Sequence, residues 1–225
     1  MAFIIFIGIA LVSYLVQQNL QTKFKKYSQM PLSSGMTGRE VAERMLRDHG
    51  VNDVRVISTP GQLTDHYDPT KKTVNLSESV YGSCSVAAAA VAAHECGHAV
   101  QHAVAYAPLK MRSALVPVVS FASSWMQWVL VLGVLLVNVF PELLAIGIVL
   151  FASTTLFSFV TLPVEVDASR RATAWLQRAG ITSPYNHASA VDALHSAAYT
   201  YVVAALGSLA TLVYYVMIFM GRRDE

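Results

Sequence analysis

The stretch SVAAAAVAAHECGHAVQHAVA, Ser85 to Ala105, decides how the chain reads. It is rich in alanine and favours a helix throughout, apart from Gly97. On a helix, residues four apart share a face, so His94 and His98 can turn their rings toward one ion. Glu95 follows His94 and can reach a water held by that ion. The pattern H-E-x-x-H supplies two ligands and a general base for a zinc hydrolase. Cys96 lies two positions from His94 and points away from that face, as a packing residue. The plainer alternative is two polar histidines on a solvated helix, and only a third ligand elsewhere decides against it.

Composition sets the surroundings. The chain has 225 residues, 54% hydrophobic and 13% charged, where soluble domains carry about 25% charged residues. The apolar excess falls in blocks. A net charge of +2 with scattered basic residues gives no footprint for nucleic acid. Two cysteines, Cys84 and Cys96, imply no disulfide framework and suit a reducing compartment.

Ala2 to Val16 is apolar and uncharged. No basic residue precedes it, and Gln17-Gln18-Asn19-Leu20 offers no small-residue cleavage site, so residues 1–17 are expected to be a retained transmembrane helix rather than a signal peptide. Residues 18–114 read as a small α+β domain. Thr37-Gly38-Arg39-Glu40 is a capping box opening an amphipathic helix with Val41, Ala42, Met45 and Leu46 on one side, closed by Gly50. Strand-like pieces follow at Val54 to Ile57 and Thr73 to Leu76, the second after the turn sequence Asp68-Pro69-Thr70-Lys71-Lys72. Thr73 to Leu76 is the expected sheet edge, where an extended substrate could add as a strand. Residues 115–162 then form an apolar hairpin of two spans, broken at 138–142. Residues 163–198 return to the polar side, 199–220 make a fourth span, and 221–225 are a tail.

With four spans, segments 18–114 and 163–198 lie on the same side of the membrane. Lys23, Lys25, Lys26, Lys110, Arg112, Arg170, Arg171 and Arg178 flank the spans on that side, and loop 138–142 has no Lys or Arg. The positive-inside rule makes that side cytoplasmic, with Arg222 and Arg223 the one contrary signal.

A catalytic zinc takes three protein ligands and one open position. Glu142 is on the wrong side. His102 would extend a straight row with His94 and His98, which cannot surround an ion. The better source is Pro163-Val164-Glu165-Val166-Asp167-Ala168-Ser169-Arg170-Arg171-Ala172, read as a helix beginning near Pro163 where the third span ends. Glu165 and Ser169 share one face and Asp167 points roughly opposite, so one carboxylate only should bind. Glu165 is preferred over Asp167, and the other could orient a ligand histidine.

Leu63-Thr64-Asp65-His66-Tyr67-Asp68-Pro69, Ala92-Ala93-His94-Glu95-Cys96-Gly97-His98-Ala99, Arg112-Ser113-Ala114-Leu115-Val116-Pro117 and Leu162 to Ala172 resemble the bacterial neutral zinc metallopeptidases of the YugP-like type, over nearly the whole chain. The resemblance implies a mainly α membrane protein with a zincin-like H-E-x-x-H plus Glu domain, multi-pass in the bacterial inner membrane. In plan it is similar to the CAAX-prenyl and HtpX-like membrane peptidases, where a Glu is followed four residues later by Asp. This chain has Ser169 at that offset.

The expectation is therefore a Zn2+ metalloendopeptidase, with His94, His98 and Glu165 holding the metal and Glu95 as base. Its partners would be peptide or protein substrates, membrane proteins among them, and the lipid bilayer; the sequence names no partner subunit. Candidate oxyanion donors are His195, Tyr199, Tyr201, Arg170, His66 and Tyr67. The rival is a non-catalytic adaptor in which a metal only staples two helices. A channel or transporter is disfavoured because the spans lack interior charge.

Overall fold

In the computed structural model, residues 2–221 are described, with side chains from Phe6 onward. The order is α1 (Ala2–Ser28), α2 (Gly38–Asp48), β1 (Arg55–Thr59), β2 (His66–Asp68), β3 (Thr73–Ser77), α3 (Glu78–Tyr81), α4 (Val86–Ala103), α5 (Ala107–Leu135), α6 (Pro141–Arg178) and α7 (His187–Gly221). The chain divides into two compact units. Leu15–Leu109 and Val164–Thr200 form one; Lys110–Pro163 and the described parts of 1–14 and 201–225 form the other.

The first unit holds the mixed α and β elements. Thr37 caps α2 as its sequence implies, with its hydroxyl accepting from the Glu40 amide and the Glu40 carboxylate accepting from the Thr37 amide. Val41, Ala42, Met45 and Leu46 are buried along one side of α2, and Gly50 follows at φ +70°. That side packs on α4, where the Cys96 thiol reaches the Ala42 carbonyl at 3.5 Å. Ser85 caps α4 by accepting from the Ala88 amide, and the Val86 amide bonds to the Met30 carbonyl, which fixes where the helix starts. Trp175 of α6 is buried in the same core and donates to Asp48.

The sheet has the order β1-β3-β2, β1 parallel and β2 antiparallel to β3. This corrects the expected edge: Thr73–Ser77 is the central strand. All five of its residues are buried, Val74 and Leu76 in the hydrophobic core. Asn75 donates to the His66 carbonyl, and the Ser77 amide donates to Asp65, so its polar groups are satisfied internally. The edges are β1 and the three-residue β2.

In the second unit, α5 and α6 cross where each carries a glycine. Gly133 lies under Leu144, and Gly147 under Leu130. Edge-to-face ring pairs join Phe6 to Tyr214 and Phe151 to Tyr215. Phe121, Trp125 and Trp128 of α5 stand largely exposed, which a lipid-facing surface accommodates and an aqueous one does not.

Two expectations change here. Among the described residues three helices, α5, α6 and α7, are long and apolar enough to cross a membrane, not four. The anchor expected at 1–17 is not one of them. It is only the first part of α1, which runs on through Gln17, Gln18 and Asn19 to Lys25 and Lys26, and its first five side chains lie outside the described residues. Residues 222–225 of the expected tail, with Arg222 and Arg223, also lie outside them. Pro163, expected to open a new helix, is inside α6. A proline there forfeits one backbone hydrogen bond, and the helix continues to Arg178.

Candidate metal centre

His94 and His98 project from one face of α4, their rings edge-to-face with centroids 4.8 Å apart. Glu165, 4% exposed, meets them from α6. Its Oε2 stands 3.3 Å from His94 Nε2 and 3.5 Å from His98 Nε2. Potential ligand atoms of these three residues all lie within 4.8 Å of one another. Four ligands around zinc at 2.0–2.1 Å would stand about 3.3 Å apart, so the spacing suits a tetrahedral ion.

The approach depends on Gly97. A Cβ there would stand 2.7 Å from the Ala168 carbonyl oxygen, so α6 could not lie this close to any other residue type. A glycine in mid-helix costs about 1 kcal/mol against alanine; here it lets the Glu165 turn reach the histidine face.

Each histidine is held from behind. His94 Nδ1 lies 3.0 Å from the Ser169 hydroxyl, and His98 Nδ1 lies 3.0 Å from Gln101 Oε1. Gln101, wholly buried, donates through Nε2 to the Val164 carbonyl and to Asp167 Oδ2, both at 2.8 Å. Asp167 also accepts from Arg171 at 2.6 Å. The structure thus brings Glu165 to the two histidines and places Asp167 behind Gln101. Ser169, four residues after Glu165, sits against His94. Sequence reasoning misses Gln101, whose only signal is a polar side chain three residues past His98 on an otherwise alanine-rich helix.

The donor set fits a cation. Glu165 Oε2 is buried and has no aligned hydrogen-bond partner, which is costly for a carboxylate unless something positive stands beside it. Two nitrogens and one oxygen in a confined, partly buried site suit zinc. Burial works against charge on His98, but Glu165 and Glu95 more than offset it, and its pKa lies above the ordinary value. Burial, with Glu95 beside it, pushes the Cys96 thiol well above its usual range. It is therefore neutral packing, as its place on the helix implies.

Glu95 is 9% exposed and makes no side-chain hydrogen bond among the described residues. His102 is exposed and lies outside the cluster, with its Nδ1 3.0 Å from the Tyr67 hydroxyl. These two residues border a cavity of about 180 Å³ with Val51, Val54, Ala99 and Ala103. Of the other candidate donors, Arg170, His195 and Tyr199 are exposed, His66 is tied to the Thr64 carbonyl, and Tyr201 belongs to the other unit.

Apolar helices long enough to span a bilayer, together with a buried His-His-Glu cluster, point to the class of membrane metalloproteins. The comparison with known proteins narrows the class: the chain belongs to the family described as "Putative neutral zinc metallopeptidase", whose model matches residues 2–220. A relative from Bacillus subtilis (strain 168), described as "Putative membrane protease YugP", is 43% identical over 223 residues, 98% of each chain. No solved structure matches.

Proposed function

We propose that this chain is a membrane-embedded, zinc-dependent endopeptidase, with His94, His98 and Glu165 as metal ligands and Glu95 as general base. The observation that carries this reading is the buried, unpartnered Glu165 Oε2 facing two imidazole Nε2 atoms beside a free Glu95. A structural metal would need the first three of these and not the fourth.

Bound zinc would supply Lewis acidity, polarising an oxygen and lowering the pKa of water to about 7. The chain's own residues do the rest. Glu95 takes a proton from the attacking water as its oxygen adds to the scissile carbonyl carbon. It then delivers that proton to the amide nitrogen as the C–N bond breaks. Ser169 and Gln101 hold the two imidazoles in register for the metal. The substrate would be an extended peptide added along β2, the sheet edge next to the Tyr67 and His102 cavity.

The site would face the cytoplasm from a bacterial inner membrane, because Lys23, Lys25, Lys26 and Arg178 belong to the same unit as the site. Membrane proteins and their unfolded segments are the substrate class this placement favours.

The test is Glu95→Gln in full-length protein, incubated with unfolded protein substrate, zinc and, as control, a chelator. Zinc content and fold should be kept while hydrolysis falls by about 10²–10⁴-fold. Undiminished turnover would remove Glu95 as the base. If the wild-type protein holds zinc and cleaves nothing, the adaptor reading takes its place.

A further inference from the structure

The two ligand histidines are not held alike, and the difference lies in Gln101. Its amide nitrogen is within 2.8 Å of two groups, the Val164 carbonyl and Asp167 Oδ2. Both can only accept, so the NH2 must face them and the amide cannot be turned over. Arg171 Nε donates to the same Oδ2 at 2.6 Å, so that oxygen accepts from both side chains. That leaves Gln101 Oε1 facing His98 Nδ1, and an amide oxygen can only accept. His98 Nδ1 must therefore carry a hydrogen. On a neutral ring the lone pair is then on Nε2, the atom aimed at Glu165. His94 has no such constraint, because the Ser169 hydroxyl can donate or accept.

We propose that Gln101 is a positioning residue: its amide, oriented by Asp167 and the Val164 carbonyl, fixes the proton of His98 on Nδ1 and so presents Nε2 as a ready ligand. This deepens the metal-site reading, since it concerns one of the same ligands. Arg171, Asp167, Gln101 and His98 form one connected chain, in which Arg171 and Gln101 both donate to Asp167 and His98 donates to Gln101. The tautomer is thereby selected before any metal arrives, and metal binding does not have to reorganise the ring.

The decisive measurement uses full-length protein in detergent micelles, metal-free, with 15N-labelled histidine, at a pH where the rings are neutral. His98→Asn identifies the His98 signals. The wild-type spectrum should show the proton on His98 Nδ1; a ring protonated on Nε2 overturns the proposal, whatever the protein does to peptides. In Gln101→Met, a substitution of similar volume, the Nδ1-protonated population should fall, and zinc affinity measured by chelator competition should drop about 10–100-fold. Unchanged tautomer populations, or zinc affinity equal to wild type in a folded variant, overturn it. Should Gln101→Met fail to fold, the wild-type spectrum alone decides. A wild-type protein that shows the Nδ1 proton and binds zinc yet cleaves no peptide would count against the peptidase reading instead.

Discussion

At Gly97, α4 lies so near α6 that a Cβ would stand 2.7 Å from the Ala168 carbonyl oxygen; at Gly133, α5 lies so near α6 that a Cβ would stand 2.6 Å from the Leu144 Cα. Sterically these crossings are alike, with a small residue letting two helix backbones close. Chemically they differ. Gly133 meets Leu144 and Gly147 meets Leu130, both leucines buried, and the closeness gains only packing contacts. Around Gly97 the facing turns carry His94, His98 and Gln101 on one helix and Glu165, Asp167 and Ser169 on the other, nearly all engaged with one another. The same steric device packs apolar helices in one unit and assembles a donor set in the other.

Removing the donor is the harshest way to break the second crossing. Glu165→Ala should abolish stoichiometric zinc, beyond the roughly 10–100-fold loss that removing a supporting partner brings; metal analysis of purified protein checks this. Asp167→Ala, by contrast, should retain zinc with weakened affinity. Reversal of that order would make Asp167 the ligand.

Gly97→Ala comes next. The new methyl must push α6 away, at a cost of about 1–3 kcal/mol for overpacking, and the displacement carries Glu165 with it. Both the unfolding midpoint and zinc affinity should fall. Gly133→Ala should cost a similar about 1–3 kcal/mol yet leave zinc affinity of the folded protein unchanged, since the ligands and their supports lie in the other unit. Equal losses of affinity in the two variants would erase the distinction drawn between the crossings.

These crossings also show what a sequence can and cannot display. The face shared by His94 and His98 and the Thr37 capping box were legible, because each depends on fixed spacing along one helix; the spacing of Glu165 and Asp167 said only that one carboxylate should meet the histidines, and the structure brings Glu165 there. The central place of Thr73–Ser77 was not legible. Strand order is a relation between segments, and β2, only His66–Asp68, is too short to show an alternating pattern. The continuation of α6 through Pro163 was hidden because proline is equally at home opening a helix, and here one lost hydrogen bond is tolerated within a 38-residue helix. Gln101 was invisible for a different reason: a lone glutamine on a helix ordinarily points to water, and only the approach of α6 buries it.

Ser169 gives a finer test of the polar crossing. Ser169→Ala removes the partner of His94 Nδ1 but leaves the ring packed between the helices. Zinc affinity should fall by about 10-fold, the low end for loss of a ligand's supporting contact, with little change in the unfolding midpoint. Ser169→Asp, which puts a carboxylate in place of the hydroxyl, would keep an acceptor for the Nδ1 hydrogen. It should bind zinc at least as well as wild type if the turn admits the larger side chain. Affinity unchanged in Ser169→Ala would mean that the imidazole is oriented by packing and by Glu165 alone.

The smallest effect belongs to Thr37, which serves the fold without touching the site. Its hydroxyl accepts the Glu40 amide, while Glu40 bonds back to both its amide and its hydroxyl. Thr37→Ala should cost about 1 kcal/mol, the usual value of an N-cap, and lower the unfolding midpoint without altering zinc affinity in the folded protein. α2 packs on α4 through Ala42 and Cys96, on the side of α4 away from the metal ligands. A loosened α2 should therefore reach the histidines only through global unfolding. If zinc affinity of the folded variant fell in step with stability, α4 would be positioned by α2 as well as by α6. The Gly97 crossing would then be one of two supports for the donor set rather than its sole determinant.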